Sequence, residues 1–533
     1  MRALLAAGAA ALLLTAAMPQ VRAADITVAT ASATSTADPH FHNVGPNNML
    51  AMHVFSALTA TDAHDRVIPR LASSWQVKDD HTWVFHLVTT NFQDGTPFTA
   101  NDVVYTFCRM LKTVGPTHSF TQASKSVDRI EVPDPHTVIL HTRLPDPTLP
   151  ALLADFYMIS AHSGGVAADI RYDPANQCGV PLPTSADFDS LKMANGTGPY
   201  RLTRYVNGDV AVLEANHHYF GAAPHWNRVV LRPVPNAGAR VAGLLAGDYD
   251  LIEDPAAQNL RAIKARGFAY AAVPSERIIF LQPDIGRAVS PEVRAGGKNP
   301  LQDPRVREAI SMAIDRGAIV SRIMDGLAEV ADQYVHPGLP GTIADPPARP
   351  YDPAGARKLL AEAGYPNGFA LTLSATNDRY INDARVAQAL GQFLARVGIR
   401  TTVDAMPANM FFPRRAKRSF SLAMGGWGPG PRATIGMFIP WTVSTDLSRG
   451  IGGSNYGAYH SAAFDAAFLK ALSDMNDASR EKLLQQATRI ALVDNALIPL
   501  YWETSLWAFK SRYTFQGRVD QITDVDALGL KAK

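Results

Sequence analysis

The sequence predicts an α/β protein of two lobes that two crossover strands join. One observation is the order hairpin, strand, helix and strand over residues 195–252. A second is the alternation of helical and strand patterns over residues 303–405, which is typical of a separate α/β unit. The third is length, because 533 residues are too many for one hydrophobic core.

The first α/β unit begins with a turn and a β-hairpin. Gly196, Gly198 and Pro199 are residues that tight turns favour. Two β-rich runs follow, and they meet at Asn207-Gly208, a dipeptide that type I′ hairpin turns favour. We therefore predict a hairpin at this point.

The rest of this unit combines strands with one short helix. A strand starts at Val229, a helix ends at Gly247, and a last strand runs from Tyr249 to Ile252. After Asp25, the run Ile-Thr-Val-Ala-Thr predicts a further strand. Together these elements form one lobe.

The second unit alternates helices with strands. The predicted helices cover residues 303–324, 352–363 and 383–397, and the predicted strands cover residues 370–375 and 401–405. Strands at residues 277–282 and 497–502 connect the two units. Two crossovers imply a hinge, so that a ligand contacts both lobes only when they close.

The N-terminus has the pattern of a secretory signal peptide. Arg2 precedes an apolar run over residues 3–17, and Val21 and Ala23 occupy the positions that a signal peptidase reads. An uncleaved membrane anchor needs roughly 20 apolar residues, and this run is shorter. We predict that residues 1–23 are removed.

The charge balance gives no indication of a nucleic acid or an anionic membrane as partner. Lys and Arg number 50, and Asp and Glu number 48. Loss of Arg2 and Arg22 with the signal peptide takes the basic count from 50 to 48, equal to the acidic count. A basic run at residues 414–418, which includes Arg415, follows a helical pattern and predicts a solvated helix end.

The two cysteines, Cys108 and Cys178, allow two interpretations. In an oxidising compartment they can form one disulfide. They can equally be two buried thiols, because Cys108 lies in a predicted helix over residues 102–112, capped by Thr99 or Asn101, and free cysteine packs as a small apolar residue.

Motifs in a characteristic order extend over nearly all of the mature chain. They are DGTPFTANDV at 94–103, GTGPY at 196–200, LLAGDYDLI at 244–252, DPRVREAISMAIDRGAIV at 303–320, YDPAGARKLLAEAGYPNGF at 351–369 and IPLYWE at 498–503. This pattern resembles the family 5 solute-binding proteins of ABC importers, the peptide and nickel group. Several independent motifs in one order are more specific than any single motif.

The resemblance implies a fold and its domains. The fold is α/β, a two-lobed hinged periplasmic-binding-protein clamshell with an additional accessory domain, of the cluster C type. Lobe I covers residues 24–45, 181–276 and 497–533. The accessory domain covers residues 46–180, and lobe II covers residues 277–496.

The resemblance also implies a periplasmic receptor that binds a peptide or peptide-like solute. Such a receptor delivers its solute to the permease subunits of an ABC transporter in the inner membrane. No cysteine lies near the predicted cleavage site, so we expect a free monomer in the periplasm rather than a lipid-anchored protein. We expect no catalytic residue and no cofactor.

Other functions stay open. The same receptor can carry a non-peptide cargo, such as an opine, a sugar or a metal chelate. A periplasmic hydrolase needs a nucleophile and a base that converge in the cleft, and a chaperone needs a broad exposed apolar patch. The sequence contains no GxSxG elbow, no HExxH pair and no P-loop.

The segment at residues 419–441 indicates a binding site. A predicted strand leads to Trp427 and a Gly/Pro-rich loop, where α/β proteins bind ligands. In peptide-binding relatives an Asp three residues after this Trp pairs with the ligand's α-amino group. Gly430 stands there instead, which argues against simple dipeptides. Arg432 can face a carboxylate or phosphate, or be an exposed loop residue, and Trp427 can contact the ligand or lie in the core.

Histidines near the N-terminus indicate a further part of the site. The run Asp38-Pro39-His40 resembles a family loop beside the cleft, so we expect His40 and Phe41 to contact the ligand. His40 with His42, and His217 with His218, also suggest metal binding, but such pairs supply too few ligands. We predict no metal site.

Overall fold

The computed structural model of the protein describes residues 25–111, 120, 124, 126–166, 169–447 and 449–531. The predicted signal peptide, residues 1–23, lies outside the described residues. Over the described ranges, no helix is both long enough and apolar enough to cross a membrane.

Strands and helices alternate along much of the described chain. In chain order the strands are β1 Ile26–Thr30, β2 Thr59–Thr61, β3 Val67–Pro69, β4 Ala72–Asp79, β5 Thr82–Leu87, β6 Val127–Asp134, β7 Thr137–Thr142, β8 Tyr200–Val206, β9 Val210–Ala215, β10 Arg228–Pro233, β11 Leu251–Glu253, β12 Phe268–Pro283, β13 Ala328–Val330, β14 Phe369–Thr376, β15 Ile399–Met406, β16 Leu422–Trp427, β17 Ile498–Lys510, β18 Tyr513–Phe515 and β19 Leu528–Leu530. The α-helices are α1 Gly45–Val54, α2 Ala100–Met110, α3 Leu149–Leu152, α4 Ser185–Asp189, α5 Ala237–Ala246, α6 Leu260–Ala265, α7 Pro304–Ala313, α8 Arg316–Ala318, α9 Pro353–Glu362, α10 Asp383–Arg396, α11 Ala408–Ala416, α12 Ala433–Trp441, α13 Ala462–Leu472 and α14 Asp477–Val493.

One large sheet runs through both lobes. Its strand order is β15-β14-β16-β12-β17-β11-β1-β10-β9-β8, and β13 also pairs with β17. On one side β1 is parallel to β10 and β11, and on the other β14 is parallel to β15 and β16. The long antiparallel strands β12 and β17 lie between these groups and pair with each other. They are therefore the two crossovers.

The pairing of the two crossover strands is irregular near its middle. The register shifts between Pro274 and Ile278. Glu276 lies in this irregularity, and its backbone N–H donates to the carbonyl oxygen of Val519 at 2.9 Å. Because an interrupted ladder lets a strand bend, we place the hinge of β12 at Glu276.

The accessory domain shares its hydrophobic core with lobe I. Its sheet has the order β4-β5-β7-β6. Buried Phe85 and Phe107 of this domain belong to the same apolar cluster as Val28 and Tyr200 of lobe I. Lobe II has separate apolar clusters. Lobe I and the accessory domain thus form one packed body, called the lobe I–accessory body below, and lobe II forms another.

The predicted elements of lobe II are present except where one helix is divided. The helix predicted at residues 303–324 is interrupted because Ile314 is extended, with φ −94° and ψ 117°. Asp315 then caps α8 by accepting a hydrogen bond from the N–H of Ala318 at 2.8 Å. A capping residue inside a helical pattern has ended one helix and started another.

The hairpin of β8 and β9 is confirmed, but its turn is not of type I′. Val206 pairs with Val210, so residues 207–209 form the loop. Gly208 has a φ of 76°, whereas Asn207 is not among the residues with positive φ. Type I′ requires positive φ at both positions. The side-chain amide of Asn207 instead donates to the carbonyl oxygen of Ser35 at 2.8 Å.

Cys108 and Cys178 form a disulfide, which decides between the two interpretations of the cysteines. Cys108 lies in the last turn of α2, Cys178 lies in a short 3₁₀ turn, and their Cα atoms are 5.8 Å apart. Thr99, and not Asn101, caps α2, since the carboxylate of Asp102 accepts a hydrogen bond from the N–H of Thr99 at 2.8 Å. The disulfide therefore joins α2 to the loop that precedes the second segment of lobe I, residues 181–276.

Candidate functional site

The turn at residues 427–432 lies between lobe II and the accessory domain. β16 ends at Trp427, and a short 3₁₀ turn at Gly430–Arg432 leads into α12. This turn packs against α3 of the accessory domain. Gly430 has a φ of 68°, a left-handed value that favours glycine. This turn of lobe II therefore contacts the lobe I–accessory body at a place where closure must bring the two bodies together.

Trp427 is half-buried and belongs partly to the core of lobe II. Its indole N–H donates to the carbonyl oxygen of Gly436 at 3.0 Å. Its ring packs edge-to-face on Trp441, with a centroid distance of 5.9 Å. The expectation that Trp427 lies in the core is therefore met in part, because one side of the ring packs internally. A ligand contact for Trp427 stays a prediction.

The glycines beside this tryptophan make room for neighbouring side chains. A Cβ atom on Gly426 would lie 2.6 Å from Ile279 Cδ1 and 2.7 Å from Tyr380 Cε1. A Cβ atom on Gly428 would lie 2.6 Å from Glu276 Oε1. Other side chains therefore occupy the space beside both glycines, and a larger residue at either position would displace them.

Glu276 supplies a carboxylate at the turn, although residue 430 is glycine. Its Oε2 atom accepts a hydrogen bond from the N–H of Gly430 at 2.6 Å. Glu276 was not predicted as a site residue, because it lies on β12, far from the turn in sequence, and no motif marks it. The site thus has an acidic group, although the turn lacks the Asp that peptide-binding relatives have at this position.

Glu276 belongs to a cluster of carboxyl groups from different parts of the molecule. Asp65 lies in the turn between β2 and β3, and Asp520 lies in the C-terminal segment. The side chains of Asp65 and Glu276 are hydrogen-bonded to each other. Burial, and then the charge of Asp520, raises the pKa of Asp65 to about 7. Burial, and then Asp65, raises the pKa of Glu276 well above its ordinary value. At least one of the two bonded carboxyl groups must carry a proton.

Arg518 offsets part of this negative charge. Its guanidinium forms an ion pair with Asp520 and donates to the carbonyl oxygen of Thr61 at 3.2 Å and to Thr61 Oγ1 at 2.9 Å. Thr61 ends β2 of the accessory domain. The lobe I–accessory body therefore holds most of the cluster, and Gly430 approaches it from lobe II.

Arg432 is half-buried, so it is not a fully exposed loop residue. Its Nε atom is inaccessible to solvent, and no described residue accepts a hydrogen bond from it. Burial lowers the pKa of its guanidinium, and the charge of Asp146 in the accessory domain opposes this shift. A desolvated cation therefore lies two residues from the N–H that Glu276 binds.

His40 is a structural residue, and the expectation that it contacts the ligand is wrong. Its side chain is 1% exposed. Its Nε2–H donates to the carbonyl oxygen of Tyr157 at 2.7 Å, and its Nδ1 accepts from Arg109 at 2.7 Å, because arginine can only donate. Arg109 also pairs with Asp38 at 2.6 Å. Burial, and then the charge of Arg109, lowers the pKa of His40 to about 3.

Phe41 is less buried than His40. It is half-buried and packs edge-to-face on His42 at a centroid distance of 5.5 Å. Two residues further on, the side chain of Asn43 lies near Asp155 and lowers the pKa of that carboxyl group. Burial, and then the charge of Asp520, raises the pKa of Asp155 to about 6. A ligand contact for Phe41 stays a prediction.

Arg415 corrects the prediction of a solvated helix end. Its side chain is 4% exposed and lies over the ring of Trp441, 4.2 Å from the centroid. It donates to Gln282 Oε1 at 3.2 Å. The sequence showed only a basic run, whereas the fold turns this one member of the run into the core of lobe II.

His40, His42, His217 and His218 do not combine with further metal ligands among the described residues. His217 and His218 are exposed neighbours in the segment after β9. Among the residues that the structure describes, no group of three or more His, Cys, Asp or Glu side chains is arranged to hold a metal ion.

Comparisons with known proteins match most of the chain. The model of the bacterial extracellular solute-binding proteins, family 5 middle, matches residues 66–448. The chain is 28% identical to heme-binding protein A of Haemophilus influenzae over 460 residues, which cover 81% of this chain and 78% of that protein. It is 27% identical to the glutathione-binding protein GsiB of Salmonella paratyphi A, with 94% and 93% of the two chains covered.

A solved structure shows the same fold over nearly the full length. The ABC transporter-associated periplasmic binding protein DppA from Helicobacter pylori, in complex with the peptide STSA, has a TM-score of 0.74 and 21% sequence identity. The match covers 95% of this chain and 98% of that one. The predicted fold class, a mixed α/β clamshell with an accessory domain, is confirmed.

Proposed function

Because the chain belongs to family 5 of the bacterial extracellular solute-binding proteins, we propose that it captures a zwitterionic, peptide-like solute in the periplasm and delivers it to the permease of an ABC transporter. Proteins of this family bind a solute and are not enzymes. The predicted signal peptide supports the periplasmic compartment.

The observation that carries this proposal is that the carboxyl cluster around Glu276 and the desolvated cation of Arg432 meet at one turn. Glu276 binds the N–H of Gly430 at 2.6 Å, and the Nε of Arg432 has no acceptor among the described residues. A solute with both an ammonium group and a carboxylate can pair with each of them. Free peptides carry both groups at their termini.

The relatives support a peptide-like cargo without deciding its identity. The Salmonella paratyphi A protein is named for glutathione, and the Helicobacter pylori structure contains the peptide STSA. The protein of Haemophilus influenzae is named for heme. Since solute pockets vary within one fold, these names alone cannot assign the cargo of this chain.

A second candidate is a non-peptide cargo with several carboxylates, such as an opine. Gly430 favours it, because the turn has no acidic side chain of its own. In that case Arg432 is the main contact, and the carboxyl groups around Glu276 face no cation of the cargo.

Mass spectrometry of the solute that is released when the purified protein is denatured identifies the cargo. We expect a compound with both an amine and an acid group. Calorimetry then compares this solute with its N-acetylated form, which lacks the cation. We expect the acetylated form to bind at least about tenfold more weakly, or about 1.4 kcal/mol.

Two results contradict the proposal. Equal affinity for the free and the acetylated solute excludes a role for the carboxyl groups in recognition and favours the opine-like alternative. A solute that is recovered chemically changed after incubation with the pure protein indicates an enzyme.

A further inference from the structure

Glu276 is the residue at which the hinge, lobe II and the accessory domain meet. We infer that its carboxyl group is a pH-sensitive contact that fastens the turn at residues 427–432 to the lobe I–accessory body, and that closure of the two bodies takes up a proton. This inference goes beyond solute binding and does not depend on which solute is bound.

Glu276 has hydrogen-bond contacts with three different parts of the molecule. Its backbone N–H donates to the carbonyl oxygen of Val519 at 2.9 Å, and the N–H of Val519 donates to the carbonyl oxygen of Ala63 at 3.0 Å. Its side chain is hydrogen-bonded to Asp65 and accepts from the N–H of Gly430 at 2.6 Å. One residue thus contacts the C-terminal segment, the accessory domain and lobe II.

The contact with Gly430 differs from the others because it crosses between the two bodies. Ala63, Asp65 and Val519 all belong to the lobe I–accessory body, whereas Gly430 belongs to lobe II. Opening therefore breaks the hydrogen bond to Gly430 and leaves the others in place. Opening also returns water to the carboxyl groups that the turn covers.

The charges that face Glu276 leave an excess of acid. Asp65 comes from the accessory domain, Asp520 and Arg518 come from the C-terminal segment, and Arg277 comes from the same strand. Asp155 of the accessory domain also faces Asp65 and Asp520. Lobe II contributes the N–H of Gly430 to the carboxylate. When water leaves this cluster, protonation of one carboxyl group relieves the repulsion.

The sign of the pH effect follows from the raised pKa values. Burial, and then the charge of Asp65, raises the pKa of Glu276 well above its ordinary value, and the hydrogen bond from Gly430 opposes this shift by less. Gly428 and Gly430 of lobe II lie against this carboxyl group, so opening removes part of its burial. The closed arrangement therefore binds more protons than the open one, and closure is favoured as the pH falls and weakened as the pH rises.

Small-angle scattering of the solute-free protein tests the inference. The ratio of closed to open molecules is measured between pH about 5.5 and about 8 and should fall by at least about tenfold as the pH rises. Glu276→Gln keeps an oxygen that can accept from Gly430 but cannot titrate, so the change should shrink to less than about threefold. Glu362→Gln is the matched control, because that carboxylate is exposed on α9 and forms an ion pair with exposed Lys358 at 3.9 Å.

A ratio that does not change with pH in the native protein overturns the inference, and so does a Glu276→Gln protein with the native response. Circular dichroism checks that each variant is folded. If Glu276→Gln does not fold, Asp65→Asn replaces it, and an undiminished response of that variant also overturns the inference. Because no solute is present, these outcomes are independent of the proposed cargo.

Discussion

Arg432 is the residue whose surroundings differ most from what its sequence context indicates. The resemblance to the family indicated its loop as a binding site, but only the fold shows the burial of Arg432 and its proximity to Asp146. The covering helix α3 belongs to another domain, and sequence patterns do not encode which distant segments meet. The same reason explains why Glu276, Asp65 and Asp520 were missed as a cluster.

Arg432→Ala should weaken binding of the co-purified solute by roughly 2–5 kcal/mol, because it leaves the anion of the solute buried without a partner. Calorimetry on the native protein and the variant measures the difference. Arg261→Ala, on the exposed side of α6, is the control and should have almost no effect. A loss below about 0.5 kcal/mol for Arg432→Ala would show that the solute does not contact this residue.

His40 should stay neutral between pH about 8 and about 5. Burial, and then Arg109, lowers its pKa to about 3, and its Nδ1 accepts a hydrogen bond from that arginine. In NMR spectra of protein with labelled histidine, we expect one ring signal that does not move between pH about 8 and about 5. His40→Gln assigns that signal by removing it. A midpoint near the ordinary histidine value for this signal contradicts the structural role.

At the scale of elements, capping and periodicity located many helices but not all. Thr99 before α2 and Gly247 after α5 stand where the sequence predicted helix boundaries. The helix α12 was not predicted, and α11 was predicted only as a helix end at residues 414–418, because Pro440 and Pro413 lie inside them. Each proline is followed within three residues by the end of its helix, so the interruption falls in the last turn.

The disulfide should stabilise the accessory domain. Cys108→Ser combined with Cys178→Ser should lower the free energy of unfolding by about 2–4 kcal/mol, because the bond closes a loop across a sequence separation of 70. Denaturant unfolding with and without a reductant measures the same loss in the native protein. Two free thiols in the denatured, unreduced protein would contradict the bond.

At the scale of the whole molecule, the order of the motifs predicted the clamshell and its two crossovers. It could not predict that Glu276 lies in the irregular part of β12, because a register shift depends on how β12 and β17 pair over their length. The division into two bodies rests on the apolar clusters, which combine residues from distant segments.

The exported protein should begin at Ala24 and appear in the soluble periplasmic fraction. Signal peptidase is expected to cut after Ala23, and no cysteine lies there to receive a lipid. Sequencing of the N-terminus of the exported protein measures this. A retained Met1, or a product that stays with the membrane, is inconsistent with a free periplasmic receptor.

Small-angle scattering with the co-purified solute tests the central claim most directly, namely that the two bodies close on a solute which they bind and release unchanged. At constant pH, the radius of gyration should decrease as the solute saturates the protein and should recover when the solute is removed. The mass of the released solute should be unaltered. A radius of gyration that stays the same at saturation would contradict the account.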